Sequence, residues 1–197
     1  EHRSEFTRIL SASSRHIILW SIVSMGLIVV LRAHLVRVIL GTGSFDWNAT
    51  RLTAALLAIL AAGLVAQGLI LLFSRALYAV RQSWRPLFYQ LAGGILTVVL
   101  AVAFLALPSA SLPATLAALL RVSDVPGSGI LLVAFAATVG QLLLALLSLL
   151  ALRSVAPGLA AQLLRPVLHG LLAAVIGGVA TYGTLLIMGG IAPLTTL

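Results

Sequence analysis

The chain has no cysteine, no lysine and only four acidic residues among its 197. Without cysteine it can build neither a disulfide framework nor a thiol metal site, and it has no thiol nucleophile. The four acids are Glu1, Glu5, Asp46 and Asp124, and all fall outside the long apolar runs. There is accordingly no carboxylate pair for acid–base work within those runs, no His/Asp/Glu cluster with metal-ligand spacing and no hydrolase triad. These absences argue against an enzyme and call for no cofactor or metal. Charged residues make up 8% of the chain, too few to clothe the core of a soluble domain of this length.

What is present is hydrophobic: 61% of residues, with a mean hydropathy of +1.19. A chain of this composition is an integral membrane protein. Five runs of about 20 residues each can cross a bilayer, at 16–40, 52–74, 87–107, 129–152 and 167–190. None alternates with a period of two, so the spans are helices rather than barrel strands. The expected fold is an all-α polytopic bundle. The first run is too long for a signal peptide and has no small-residue cleavage site after it. Ahead of it, EHRSEFTRILSASSR (residues 1–15) reads as a connector. The opening at Glu1 and the short tail, 191–197, read as a piece of a longer protein.

All twelve basic residues are arginine, and they alternate between the two ends of the spans. Arg3, Arg8 and Arg15 precede the first span, Arg75, Arg81 and Arg85 follow the second, and Arg153 and Arg165 follow the fourth. The other loops hold Arg51 beside Asp46, and Arg121 beside Asp124. By the positive-inside rule the arginine-rich end is cytoplasmic, with the N-terminus inside. The isoelectric point near 11.7 does not point to nucleic acid, because the arginines are scattered singly with no basic groove or stacking surface. Their natural partners are anionic membrane lipids.

Within the spans, small residues recur every fourth position, at Ala54, Ala58, Ala62 and Ala66 and again at Gly170, Ala174 and Gly178. Such stripes let helices approach closely in lipid. Gly93 and Gly94 could mark a bend. In the loop PSASLPATLAALLRVSDVPGSG, Pro113 with Leu116, Leu119 and Leu120 suggests a short helix in the outer interface. The polar residues inside spans are Gln67, Gln90, Thr97, Thr138, Gln141, His169, Thr181 and Tyr182.

Arg32, His34 and Arg37 interrupt the end of the first span, and two readings are open. The arginines can snorkel to the outer headgroups. Alternatively His34 and Arg37, three residues apart on one face, meet an anionic group of a substrate in a water-filled cavity. Arg32 lies on a different face.

The run RVILGTGSFDWNATRLTAALLAILAAGLVAQGLILLFSRALYAVRQSWRPL (residues 37–87) resembles the C-terminal half of the MurJ/MviN family, lipid II flippases of the wider MATE-like exporter group. Gly41, Gly43, Phe45 and Asp46 match the family's Gly-x-Gly-x-Phe-Asp turn. Thr53 and Ala54 open the following helix, and Arg75, Tyr78, Ala79 and Pro86 hold the frame of the loop after it. Leu77, Gln82, Ser83 and Arg85 depart from that loop, which usually has Phe, Asp-Thr and Thr there, and Val23 stands where relatives often carry Pro. The resemblance implies a bacterial inner-membrane protein whose spans correspond to the ninth to thirteenth of fourteen. It implies a substrate, lipid II or a similar polyprenyl-pyrophosphate lipid, moved by alternating access without covalent chemistry. Partners would be that lipid and the remainder of the same transporter, the turn and loop residues would take part in gating, and Thr97, Thr138 and Gln141 would fall near a coupling-cation site. For these three, helix–helix hydrogen bonding is the alternative. Two other functions stay open: a non-transporting scaffold that recruits envelope-synthesis partners through the Arg75–Arg85 loop, or a polysaccharide or drug exporter of the same superfamily.

Overall fold

A computed structural model describes residues 2–40, 46–106 and 111–187. Six α-helices follow one another: α1 (His2–Leu40), α2 (Trp47–Ala79), α3 (Trp84–Ala106), the short α4 (Ser111–Leu119), α5 (Ile130–Ala151) and α6 (Leu159–Ile187). A single 3₁₀ turn, Leu152–Ser154, links α5 to the approach of α6. Five of the helices, all but α4, are long and apolar enough to span a membrane, and no strand occurs among the described residues. The all-α membrane bundle expected from composition is the fold observed.

The first helix is longer than the sequence suggested. Helix runs from His2, so residues 2–15, expected as a connector, form its first turns. At 1.5 Å per residue α1 is about 58 Å long, against roughly 30 Å of hydrocarbon. The reason is a continuous buried stripe: Leu10, Ser14, Ile18 and Ile22 recur every fourth residue and are all buried. Leu10 and Ile18 join Phe73 and Leu77 of α2, Leu152, and Leu159 and Leu163 of α6 in a core at the arginine-rich end. Ser14 is accommodated there because its hydroxyl donates to the Leu10 carbonyl at 2.8 Å.

The helices pack in the spatial order α6, α1, α2, α5, α3. Small residues decide where they meet. On α1, Ile22, Gly26 and Val30 face Gly170, Ala174 and Gly178 of α6, and a Cβ at Gly26 would come within 2.9 Å of the Ala174 Cβ. The pairing advances in the same direction on both helices, so α1 and α6 are parallel, as first and fifth spans must be. Between α2 and α5, Thr138 meets Ile59 and Gln141 meets Gly63, again in parallel. Between α3 and α5 the order reverses, with Thr97 against Gly140 and Phe104 against Phe135, whose ring centroids are 5.9 Å apart. In α2, Ala54, Ala58 and Ala66 of the alanine stripe are buried. Outward faces of α3 and α6 remain apolar and exposed, which suits contact with lipid.

At the opposite end from the arginines, α4 and the residues after it fold over α2. Val122 and Val125 are buried with Ala55, Ala117 and Leu131. The Arg51 guanidinium clamps this segment, donating to both carboxylate oxygens of Asp124 at 2.7 and 2.8 Å and also to the Arg121 carbonyl. Sequence neighbours suggested Arg51 beside Asp46. Asp46 instead caps α2, its carboxylate accepting from the Ala49 N–H at 2.7 Å.

Candidate functional site

Although α2 and α3 are consecutive, they scarcely touch; both lean on α5 and leave a groove of about 790 Å³ between them. Helical spacing supplies its walls. On α2, Gln67, Leu71, Ser74, Arg75 and Tyr78 share one face, and on α3, Gln90, Gly93, Gly94 and Thr97 do so. The floor is Gly140, Gln141 and Leu144 of α5. Arg75 is the one charged residue among these lining residues.

Missing side chains fix how deep the groove is. A Cβ on Gly140 would lie 2.0 Å from Thr97 Oγ1, and one on Gly93 would lie 3.2 Å from Leu144 Cδ2. These two glycines therefore let α3 seat directly on α5. Gly93 and Gly94 do not interrupt α3, which is helical from Trp84 to Ala106. A Cβ on Gly63 would come 2.4 Å from Gln141 Oε1. The vacancy lets the Gln141 amide lie against α2, where its oxygen accepts from Gln67 Nε2 at 3.2 Å. Thr97 Oγ1 donates to the Gly93 carbonyl at 2.9 Å, which leaves its lone pairs available. The groove thus combines one guanidinium with uncharged amides and hydroxyls. Such a wall can hold a polar or anionic group at the Arg75 end and can offer oxygen ligands deeper in. No group of three or more His, Asp or Glu side chains occurs together among the described residues.

The residues singled out in the sequence divide among several places. Arg75, Tyr78, Thr97 and Gln141 converge on the groove. Thr138 is separated from the other two of its trio: it is buried, and its hydroxyl donates to the Ile59 carbonyl at 3.0 Å in the α2–α5 interface. Pro86 is buried at the start of α3. His34 and Arg37 are exposed on α1, which forms no part of the groove wall. The Arg37 guanidinium lies over the Trp47 ring, 5.5 Å from its centroid. Asp46 acts as the helix cap already described, whereas Gly41, Gly43 and Phe45 lie outside the described residues. Gln67 and Gln90 were legible only as polar residues within spans. Their spacing from Ser74–Tyr78 and Thr97 on the same helix faces is the signal that joins them to the groove.

The loop joining the two groove walls closes α2 with a Schellman arrangement: the Gln82 N–H donates to the Leu77 carbonyl and the Arg81 N–H to the Tyr78 carbonyl, both at 3.0 Å. Arg81 takes the left-handed conformation there, at φ 59°. Gln82 stands where the resemblance leads one to expect an acid, and its Oε1 is buried without a hydrogen-bond partner among the described residues.

A family model described as lipid II flippase MurJ matches residues 1–189. No curated protein and no solved structure matches the chain. The match extends through all five apolar helices and takes in the groove between α2, α3 and α5, and the chain belongs to the lipid II flippase MurJ family.

Proposed function

We propose that this chain is part of a flippase that moves lipid II by alternating access, with the arginine-rich end in the cytoplasm and the α2–α3–α5 groove as part of the path or its gate. The physical task is to carry a pyrophosphate and a disaccharide-peptide through hydrocarbon, which no unaided polar group crosses cheaply. A cavity that opens to each side in turn solves it without covalent chemistry. The observation that carries the reading is the convergence of Arg75 and Tyr78 with Thr97 and Gln141 on one groove. In this reading Arg75, Tyr78 and Pro86 belong to the cytoplasmic gate, and Gly41, Gly43, Phe45 and Asp46, which precede α2 in sequence, to a gate on the outer side. Thr97 and Gln141 are candidates for a coupling cation, with Thr138 positioning α2 against α5. His34 and Arg37 stand at the outer surface, where a cation would meet the emerging pyrophosphate.

The test compares Arg75→Gln and Arg75→Lys in an assay of lipid II accessibility from the outer face, with membrane insertion measured alongside. A gate or phosphate contact that uses the guanidinium fork is lost with both variants, because Lys offers a point charge only. Normal flipping by Arg75→Gln would remove Arg75 from the path. If neither variant flips less but binding of envelope-synthesis proteins falls, the scaffold reading replaces this one.

A further inference from the structure

A second cavity, of about 550 Å³, lies at the arginine-rich end, away from the groove. One wall is the first turns of α1, where Ser4, Thr7, Arg8 and Ser11 share a face. The other is the α5–α6 connection, through Ser154, Val155 and Pro157, with Gln162 from the first turn of α6. Arg8 is the one charged residue among those lining the cavity, and it makes no ion pair among the described residues. Glu5, the nearest acid in sequence, is not a lining residue.

The hydroxyls around Arg8 have a definite polarity. Ser11 Oγ donates to the Arg8 carbonyl at 2.9 Å and Ser154 Oγ donates to the Ala151 carbonyl at 3.3 Å. With their hydrogens engaged on backbone, both oxygens offer lone pairs rather than donors. Gln162 adds a side-chain amide, whose oxygen is a further acceptor and whose NH2 is a donor. A lining of two lone-pair acceptors beside the Arg8 cation and the Gln162 amide, which donates as well as accepts, matches a bare phosphate only in part. It suits a phosphodiester joined to an alcohol that itself carries O–H or N–H groups. The cavity lies at one end of a bundle whose α1 and α6 also carry exposed apolar side chains, among them Ile9, Leu164 and Leu168.

We infer that this cavity is a binding site for the headgroup of a membrane phospholipid, its phosphodiester on Arg8 and its hydroxyl- or ammonium-bearing alcohol on the acceptors of Ser11, Ser154 and Gln162. The bound lipid bridges α1 to the α5–α6 connection and so ties the first helix to the last.

Native mass spectrometry of the intact protein, released from nanodiscs of mixed phosphatidylethanolamine, phosphatidylglycerol and phosphatidylcholine, tests it. Retention of the ethanolamine or glycerol lipid over the choline lipid is expected, because the quaternary ammonium has no N–H to donate. Arg8→Gln should lower that retention about tenfold, the effect of losing one charge-assisted contact. Arg165→Gln, on α6 but outside the cavity, should leave it unchanged. Equal losses from both variants would mean general surface charge and overturn the site, as would equal retention of all three lipids. Displacement of the lipid by millimolar inorganic phosphate would assign the cavity to a soluble anion and overturn the lipid assignment.

Discussion

Arg37 illustrates how a charge that stands out in a membrane sequence acquires a local partner. Its guanidinium lies over Trp47 at the start of α2, a cation–π contact that draws the end of α1 and the start of α2 together and is worth about 0.5–1 kcal/mol at an exposed site. Arg81 is a different case. It occupies the left-handed position that ends α2, where a Cβ costs roughly 1 kcal/mol and glycine costs nothing. Arg81→Gly should therefore raise the thermal stability of the detergent-solubilised protein by about 1 kcal/mol. A fall in melting temperature would mean that the Arg81 side chain makes a contact worth more than its backbone strain. Asp124 makes stability depend on pH. Its hydrogen bond to Arg51, and secondarily one to its own backbone, hold its carboxyl below the ordinary value of 3.8. A carboxyl whose pKa is lowered by folding contributes stability above 3.8, and that contribution disappears as pH falls through the lower folded value. The pair is solvent-exposed at Asp124, so its contribution is small. Asp124→Asn should flatten the decline in melting temperature below pH 3.8 while changing little of its shape at neutral pH, and an identical acid limb in the variant would show that another carboxylate is responsible.

At the scale of helices, association in lipid lacks the hydrophobic drive it has in water, and close backbone approach has to replace it. The α1–α6 contact depends on this, since a side chain at Gly26 would press on both the Cβ and the backbone of Ala174, at 2.9 and 3.3 Å. Backbone cannot move aside as the end of a flexible side chain can. Gly94 is the internal control, because a Cβ there meets nothing within 4 Å. Gly26→Val is expected to destabilise the protein by about 1–3 kcal/mol through overpacking, whereas Gly94→Ala should be neutral or slightly stabilising through its helix propensity. Thermal unfolding in one detergent separates them, and equal effects would contradict the packing described. The glycine–alanine stripe on α6 was visible in the sequence as a means of close approach. Which helix it would meet was not, because small residues every fourth position fit any similar surface and carry no address.

For the whole molecule, the absence of cysteine makes topology directly measurable. Single cysteines at Ser83 and Ser154, both exposed at the arginine-rich end, should react with an impermeant thiol reagent only from the cytoplasm, and one at Ser123 only from outside. Labelling of Ser123 from the cytoplasmic side would invert the proposed orientation. The sequence by itself determined the all-α class, the number of spans and their alternating course, because a bilayer admits only segments that satisfy their own backbone and are apolar for about 20 residues. It also exposed the residues of the flippase resemblance, a property of local order along the chain. Tertiary structure alone decided the rest. Helix at residues 2–15 follows from the burial of Leu10 against α2 and α6, with Ser14 buried one turn further on, a contact that no local hydropathy average contains. Arg51 reaches Asp124, 73 positions away, and not the adjacent Asp46. Gln67 and Gln141 meet across 74 positions, and Thr97 joins them on one groove while Thr138, three residues from Gln141, does not. On a helix three residues turn a side chain through nearly a full circle, and the small remaining rotation becomes a choice between groove and interface only when neighbouring helices are in place.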